Sequence, residues 1–157
     1  MTSEWGATKK HIPVLQEDVL SYLAVKPDGI YLDGTLGLGG HASAVQKQLS
    51  PKGQLVGFDG DEEAVRHCEK MLSPSCHLVQ APYDTFPQHL SSLSIQAVDG
   101  MLLDLGMSSY QLDTPARGFA YRTEGPLDMR FDENGPTTAR HIVNSWPVSE
   151  LKKRSEE

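Results

Sequence analysis

The chain has 157 residues, the size of one ordinary domain. Its 38% hydrophobic and 22% charged content excludes intrinsic disorder, and no apolar run approaches the roughly 20 residues of a bilayer span. With 14 Lys+Arg against 21 Asp+Glu the net charge is −7, so bulk charge does not argue for a domain held on nucleic acid by phosphate contacts alone.

Residues 1–10, MTSEWGATKK, read as an N-terminal tail. They lack the apolar core of a secretory signal, and with Glu4 and no Arg they do not resemble a mitochondrial presequence, so the expected location is cytoplasmic. Leu15, Val19, Tyr22 and Leu23 then fall on one helical face, closed by the turn Lys26-Pro27-Asp28-Gly29. Ile30 to Leu32 predicts a strand stopped by Asp33-Gly34. A helix over 40–49 follows, with Ala42, Val45 and Leu49 inward, and residues 54–58 predict a second strand ending at Asp59. Asp61 is the expected N-cap of the next helix, whose buried stripe is Ala64, Val65, Cys68, Met71 and Leu72. Residues 77–80 predict a third strand, and Phe86, Leu90 and Leu93 mark another helix. Residues 98–103 predict a fourth strand, ending at Asp104. This alternation implies a parallel sheet flanked by helices.

Beyond Leu105 the texture changes. Residues 106–136 are rich in Gly, Pro, Ser, Asp and Arg, without clear period, and read as a long functional loop. A short helix is expected near Thr138, with Ala139, Ile142 and Val143 inward, and Ser149 is a candidate N-cap with Val148 before it as a staple residue. Cys68 and Cys76 lack zinc spacing and read as reduced thiols, and His41, His67, His77 and His89 show no metal spacing, so no metal is expected.

The chemistry concentrates between the first strand and its helix. In Asp33-Gly34-Thr35-Leu36-Gly37-Leu38-Gly39-Gly40-His41, the residues Gly37, Gly39 and Ala42 match G-x-G-x-x-[GA], a loop that lets backbone approach a ligand. Asp59, about 20 residues beyond Gly39, is positioned to accept ribose hydroxyls of a nucleoside cofactor. Both a dinucleotide and S-adenosylmethionine use this layout. Asp33, which can attract the ammonium of an amino-acid moiety, tilts the choice toward S-adenosylmethionine. Asp104, at a strand end beside the switch between the first and fourth strands, can accept a hydrogen bond from a substrate amine.

His11-Ile-Pro-Val-Leu, DGTLGLGGH at 33–41, DLGMSSYQLD at 104–113 and RGFAYRTEGPLDMRFD at 117–132 together resemble one family, the small-subunit ribosomal RNA cytosine-N4 methyltransferases known as RsmH or MraW. The resemblance runs from about residue 11 to the end, and the RGF…GPLDMR block is its most specific part. It implies a Rossmann-like S-adenosylmethionine-dependent methyltransferase fold and N4-methylation of a cytidine in the decoding region of small-subunit rRNA. It also implies rRNA or the small ribosomal subunit as partner. By the same resemblance Gly39, Gly40, His41, Asp59, Tyr83, Asp104 and Gln111 would contact the cofactor, with Tyr83 against the adenine and Asp104 also catalytic. Arg117, Arg122 and Arg130 are expected to meet phosphates, Phe119 or Tyr121 to stack on a base, and Asp128 to pair with an arginine or face the substrate.

Family members are about twice as long, so the chain is expected to be truncated. The expected division is a tail over 1–10, a cofactor-binding half-domain over 11–105, a substrate loop over 106–136 and the start of a helical substrate domain over 137–157. The resemblance implies the family's strand order 3-2-1-4 for these four strands, which would leave the fourth at an open edge. An NAD-dependent oxidoreductase and a non-catalytic nucleotide-binding fragment stand as the alternative functions.

Overall fold

Strands β1 (Ile30–Asp33), β2 (Gln54–Asp59), β3 (His77–Gln80) and β4 (Gly100–Leu102) pair in parallel in the order β3-β2-β1-β4. The computed structural model describes residues 13–156. The tail over 1–10, with Lys9 and Lys10, and the first two residues of the His11-Ile-Pro-Val-Leu motif lie outside the described residues.

The central strands are buried on both faces, as a parallel sheet covered by helices requires. Alternation along each strand divides the core in two. Tyr31 and Leu55 face Leu36, Ala42, Val45, Val65 and Cys68, under helices α1 (Gln16–Leu23), α2 (Gly40–Gln46) and α3 (Glu62–Met71). Leu32, Val56 and Phe58 face the other way, against Leu90 and Ile95 with helix α4 (Phe86–Ser92). Asp61 caps α3 as expected, its Oδ1 accepting the Glu63 N–H at 3.0 Å. Several expected inward positions are corrected. Leu20 and Leu23 pack on the core from α1, whereas Leu15 and Tyr22 are exposed. Leu15 is left-handed at the helix start, which turns its side chain off the stripe. Met71 is exposed, because α3 ends there and Leu72 takes the buried place.

β4 is shorter than expected. Before it, Asp99 spends its carboxylate on Lys26 and the Ile30 N–H; after it, the Asp104 N–H turns aside to Thr35 Oγ1 at 2.8 Å. Among the described residues β4 pairs with β1 alone, and Met101 and Leu103 are exposed near that free edge.

Residues 106–136 are not the structureless loop expected. They contain helix α5 (Ser109–Asp113), closed by a capping box between Ser108 and Gln111, and a 3-10 turn over Pro115–Arg117. Helix α6 (Ala139–Ser145) is capped by Thr138, but Val143 points outward and none of its residues is fully buried. Helix α7 (Val148–Glu156) begins one residue before the expected cap, so Ser149 lies inside it and Val148 is exposed. Pro147 supplies the carbonyl that starts α7, accepting from Glu150 and Leu151.

Phe58 is fully buried at the centre of the second core half. Phe58→Ala is expected to destabilise the fold by about 3–5 kcal/mol, read from the urea midpoint.

Candidate functional site

A cavity of about 620 Å³ opens at the carboxyl ends of β1, β2 and β4, within the ordinary size of a small-molecule site. It straddles the gap between β1 and β4, where strand order reverses and open α/β sheets collect ligands. Its walls come from the glycine loop, the tip of β2 with Asp59 and Gly60, Tyr83, the stretch from Asp104 to Gln111, and Phe131.

The glycine loop is held by its own backbone. Gly34 N–H donates to Leu102 O at 2.9 Å and Leu36 N–H to Phe58 O at 3.0 Å, fastening the loop to both neighbouring strands. Gly37 N–H donates to Asp59 Oδ2 at 2.8 Å. Gly39 sits at φ 71° as the residue before α2, and a Cβ there would run into Met71 Cε and Cys68 Sγ. A Cβ on Gly40 would run just as closely into Pro13; Gly40 lines the cavity, whereas Gly39 does not, since the side it leaves bare faces α3. His41 is buried in the first turn of α2, with Nε2 3.8 Å from Asp104 Oδ2.

Three carboxylates converge here. Asp59 is half-buried and accepts the Asp61 N–H on Oδ1 at 2.9 Å as well as Gly37 on Oδ2. Burial raises its pKa, opposed by those two N–H groups. Each oxygen keeps a lone pair for a further donor. Asp33 is 2% exposed, and burial pushes its carboxyl up to about 6, against the pull of the Thr35 N–H. Asp59 and Asp104 add repulsion to the same carboxyl. Asp33 does not itself line the cavity, and its buried Oδ2 has no hydrogen-bond partner among the described residues. Asp104 is 59% exposed in its side chain, and Tyr83 is 40% exposed across the cleft. Among the described residues no Lys or Arg lines the cavity. Such a lining suits a cationic ligand and disfavours a pyrophosphate.

The arginines expected to meet RNA behave differently. Arg117 is buried, its Nη1 2.6 Å from Asp61 Oδ2, with Nη2 donating to the carbonyls of Arg130 and Phe131. Arg130 is engaged by both oxygens of Asp128 and by the carbonyls of Glu133 and Gly135. Asp128 therefore pairs with an arginine, as one of its two expected readings had it. Both guanidiniums fold their own segment, because its irregular backbone leaves carbonyls that need donors. Arg122 alone of the three reaches outward, lying against the exposed Tyr121 ring. Phe119 is half-buried, edge-on to Phe131. Gln111 is buried at the cavity wall, donating from Nε2 to Asp61 Oδ2 at 2.8 Å. Asp61, read from sequence only as a cap, thus serves three partners; its place two residues beyond Asp59 was the one available signal.

Residues 8–154 match the MraW methylase family. The chain belongs to this family. It is 46% identical over 146 residues to a ribosomal RNA small subunit methyltransferase H 2 of Agathobacter rectalis, covering 90% of this chain and 46% of that protein. It is also 46% identical over 144 residues to a ribosomal RNA small subunit methyltransferase H of Halothermothrix orenii, with the same coverage. The chain spans about half the length of the curated relatives it matches. A crystal structure titled as an rRNA-methylase from Clostridium thermocellum, 18% identical, superimposes with a TM-score of 0.54 over 62% of this chain and 54% of that one, which shows the shared fold.

S-adenosylmethionine, the cofactor implied by the family, fits these residues: the cleft carries the carboxylates of Asp59 and Asp104 among apolar side chains that suit a nucleoside and a methionine chain, and behind it the buried Asp33 Oδ2 has no hydrogen-bond partner among the described residues. Among the described residues no cluster of His, Cys, Asp or Glu could hold a metal ion, and no helix is long and apolar enough to cross a membrane.

Asp33 binds its proton more tightly folded than its ordinary value of 3.8 allows. Stability of the unliganded chain should therefore be greatest at acid pH with respect to this group, fall as pH rises from about 4 to about 6, and level off above. Asp33→Asn should flatten that fall, read from urea midpoints across the same pH range.

Proposed function

We propose that the protein is an S-adenosylmethionine-dependent methyltransferase that modifies the N4 amine of a cytidine in the decoding region of small-subunit rRNA, with the small ribosomal subunit or its RNA as partner. The observation that carries this reading is the anionic cleft at the β1/β4 switch, with the half-exposed Asp104 at its mouth. Family membership over residues 8–154 supports it.

When bound, S-adenosylmethionine supplies a methyl group on a positively charged sulfur. Gly40 would offer the ligand backbone without side-chain obstruction, Gly39 would turn the loop behind it, Asp59 would accept from the ribose, and Tyr83 would stand against the adenine. Gln111 and His41 complete the wall, His41 standing beside Asp104. The acceptor amine is a poor nucleophile because its lone pair is shared with the ring. Asp104 accepts one of its N–H bonds, draws the nitrogen toward a tetrahedral shape and stabilises the positive charge that grows on it. Holding the amine in line is the larger contribution, several kcal/mol for a well-oriented pair. No strong base must act first, because the methylated ammonium is itself acidic. The base must be unstacked to reach the cleft. The exposed pair Tyr121 and Arg122 is the proposed RNA contact of the 106–136 segment, by stacking and phosphate pairing.

Calorimetric titration is expected to give saturable heat with S-adenosylmethionine and none with NAD; the reverse would replace the methyltransferase by an oxidoreductase. Asp104→Asn is expected to lower methyl transfer to small ribosomal subunits by about 10²-fold or more, the size of effect seen when one charge-stabilising partner is lost. Full turnover with unchanged cofactor affinity would remove Asp104 from the chemistry.

A further inference from the structure

Asp61 is 2% exposed and stands outside the cavity lining, yet two walls of the cavity depend on it. Its Oδ1 is occupied by the Glu63 N–H. Its Oδ2 accepts from Gln111 Nε2 at 2.8 Å and from Arg117 Nη1 at 2.6 Å. Gln111 lines the cavity, and its other amide atom, Oε1, accepts the Ser108 N–H at 3.0 Å, so the carboxylate at one end and the helix cap at the other fix its orientation. Arg117 in turn donates from Nη2 to Arg130 O at 2.9 Å and Phe131 O at 3.0 Å, and Phe131 also lines the cavity. The Arg117 carbonyl accepts the N–H of Met129, which is held at φ 60°, a left-handed conformation that a non-glycine residue adopts only when its surroundings impose it. One buried oxygen therefore connects the cofactor cleft with the 117–131 segment.

We propose that Asp61 is a positioning residue that couples cofactor binding to the ordering of the 117–131 segment, by holding Gln111 and Arg117 on the same carboxylate oxygen. The inference rests on the cofactor reading above. With the cofactor against Gln111, the Asp61 carboxylate is held in place, and through Arg117 so is the backbone that carries Phe131. The wall facing the RNA is then most ordered when the methyl donor is already present.

Asp61→Asn preserves the shape of the side chain and an oxygen for the Glu63 N–H, but removes the charge that Arg117 faces. The chain carrying it is expected to bind S-adenosylmethionine about tenfold more weakly by calorimetry, a typical coupling between linked sites, with unchanged far-UV circular dichroism. A folded Asp61→Asn chain with wild-type affinity, merely melting at lower temperature, would show Asp61 to be structural only and overturn the coupling. A second measurement needs no variant. In the wild-type chain, S-adenosylmethionine should slow amide exchange at Gly118 and Met129, whose N–H groups bond Pro115 O and Arg117 O outside the cavity lining. Protection confined to residues 34–41 and 104–111 would overturn the proposal even if Asp61→Asn failed to fold. If the wild-type chain gives no heat with S-adenosylmethionine, it is the cofactor reading that falls, and the coupling with it.

Discussion

Where β2 ends, two carboxylates two residues apart hold the face of the cleft together. Asp59 reaches back to the glycine loop through Gly37, and Asp61 reaches forward to α3, Gln111 and Arg117. The Asp61–Arg117 pair is almost dry, each side chain 4% exposed. A pair in that setting gains little from being charged, but removing one partner leaves the other buried and uncompensated, at about 3–5 kcal/mol. The surroundings of Arg117 answer the desolvation: two backbone carbonyls and Glu133 take its remaining donors. The irregular 117–131 segment is thereby anchored to the sheet without strands or long helices of its own.

The cleft beside this anchor is unusual in its charge. Asp33, Asp59 and Asp104 lie near enough for the first to feel the other two, and burial already holds the Asp33 carboxyl up to about 6. A fold that keeps such a group at the end of its central strand carries a strain that a cationic ligand would relieve. The same property separates the two cofactor classes that share a glycine loop: a pyrophosphate would add negative charge to a site with no described Lys or Arg in its lining, whereas S-adenosylmethionine, with a sulfonium and an ammonium against one carboxylate, would bring net positive charge.

The free edge of β4 complements this picture. Met101 and Leu103 lie exposed near backbone that, among the described residues, pairs with no strand on the side of the sheet away from β1. An edge of that kind is ordinarily covered or charged in a stable domain. The chain spans about half the length of its curated relatives, and the cleft lies close to that edge, at the mouth where Leu105 and Met107 are also exposed.

Much of the architecture is legible in the residues themselves. Strand and helix alternation and the cap at Asp61 follow from local pattern, because buried parallel strands and helix starts place strong demands on residue type at each position, whereas the sheet order was implied only by the family resemblance. The glycine loop and Asp59 likewise announce a ligand by spacing, since they lie close along one strand-loop-helix unit. What local pattern did not reveal is the fate of the charged residues after Leu105. Arg117 and Arg130 read as phosphate contacts and turn out to be internal fasteners, and Asp61 reads as a simple cap and turns out to join two walls of the cleft. The reason differs between the two arginines: Arg117 meets a buried carboxylate 56 positions away, which only the fold brings beside it, whereas the partners of Arg130 lie within five residues and are gathered by the irregular path of their own loop. Residue type and local period determined the strands, the helices and the glycine loop; only the closing of the chain on itself decided which charges were left to act.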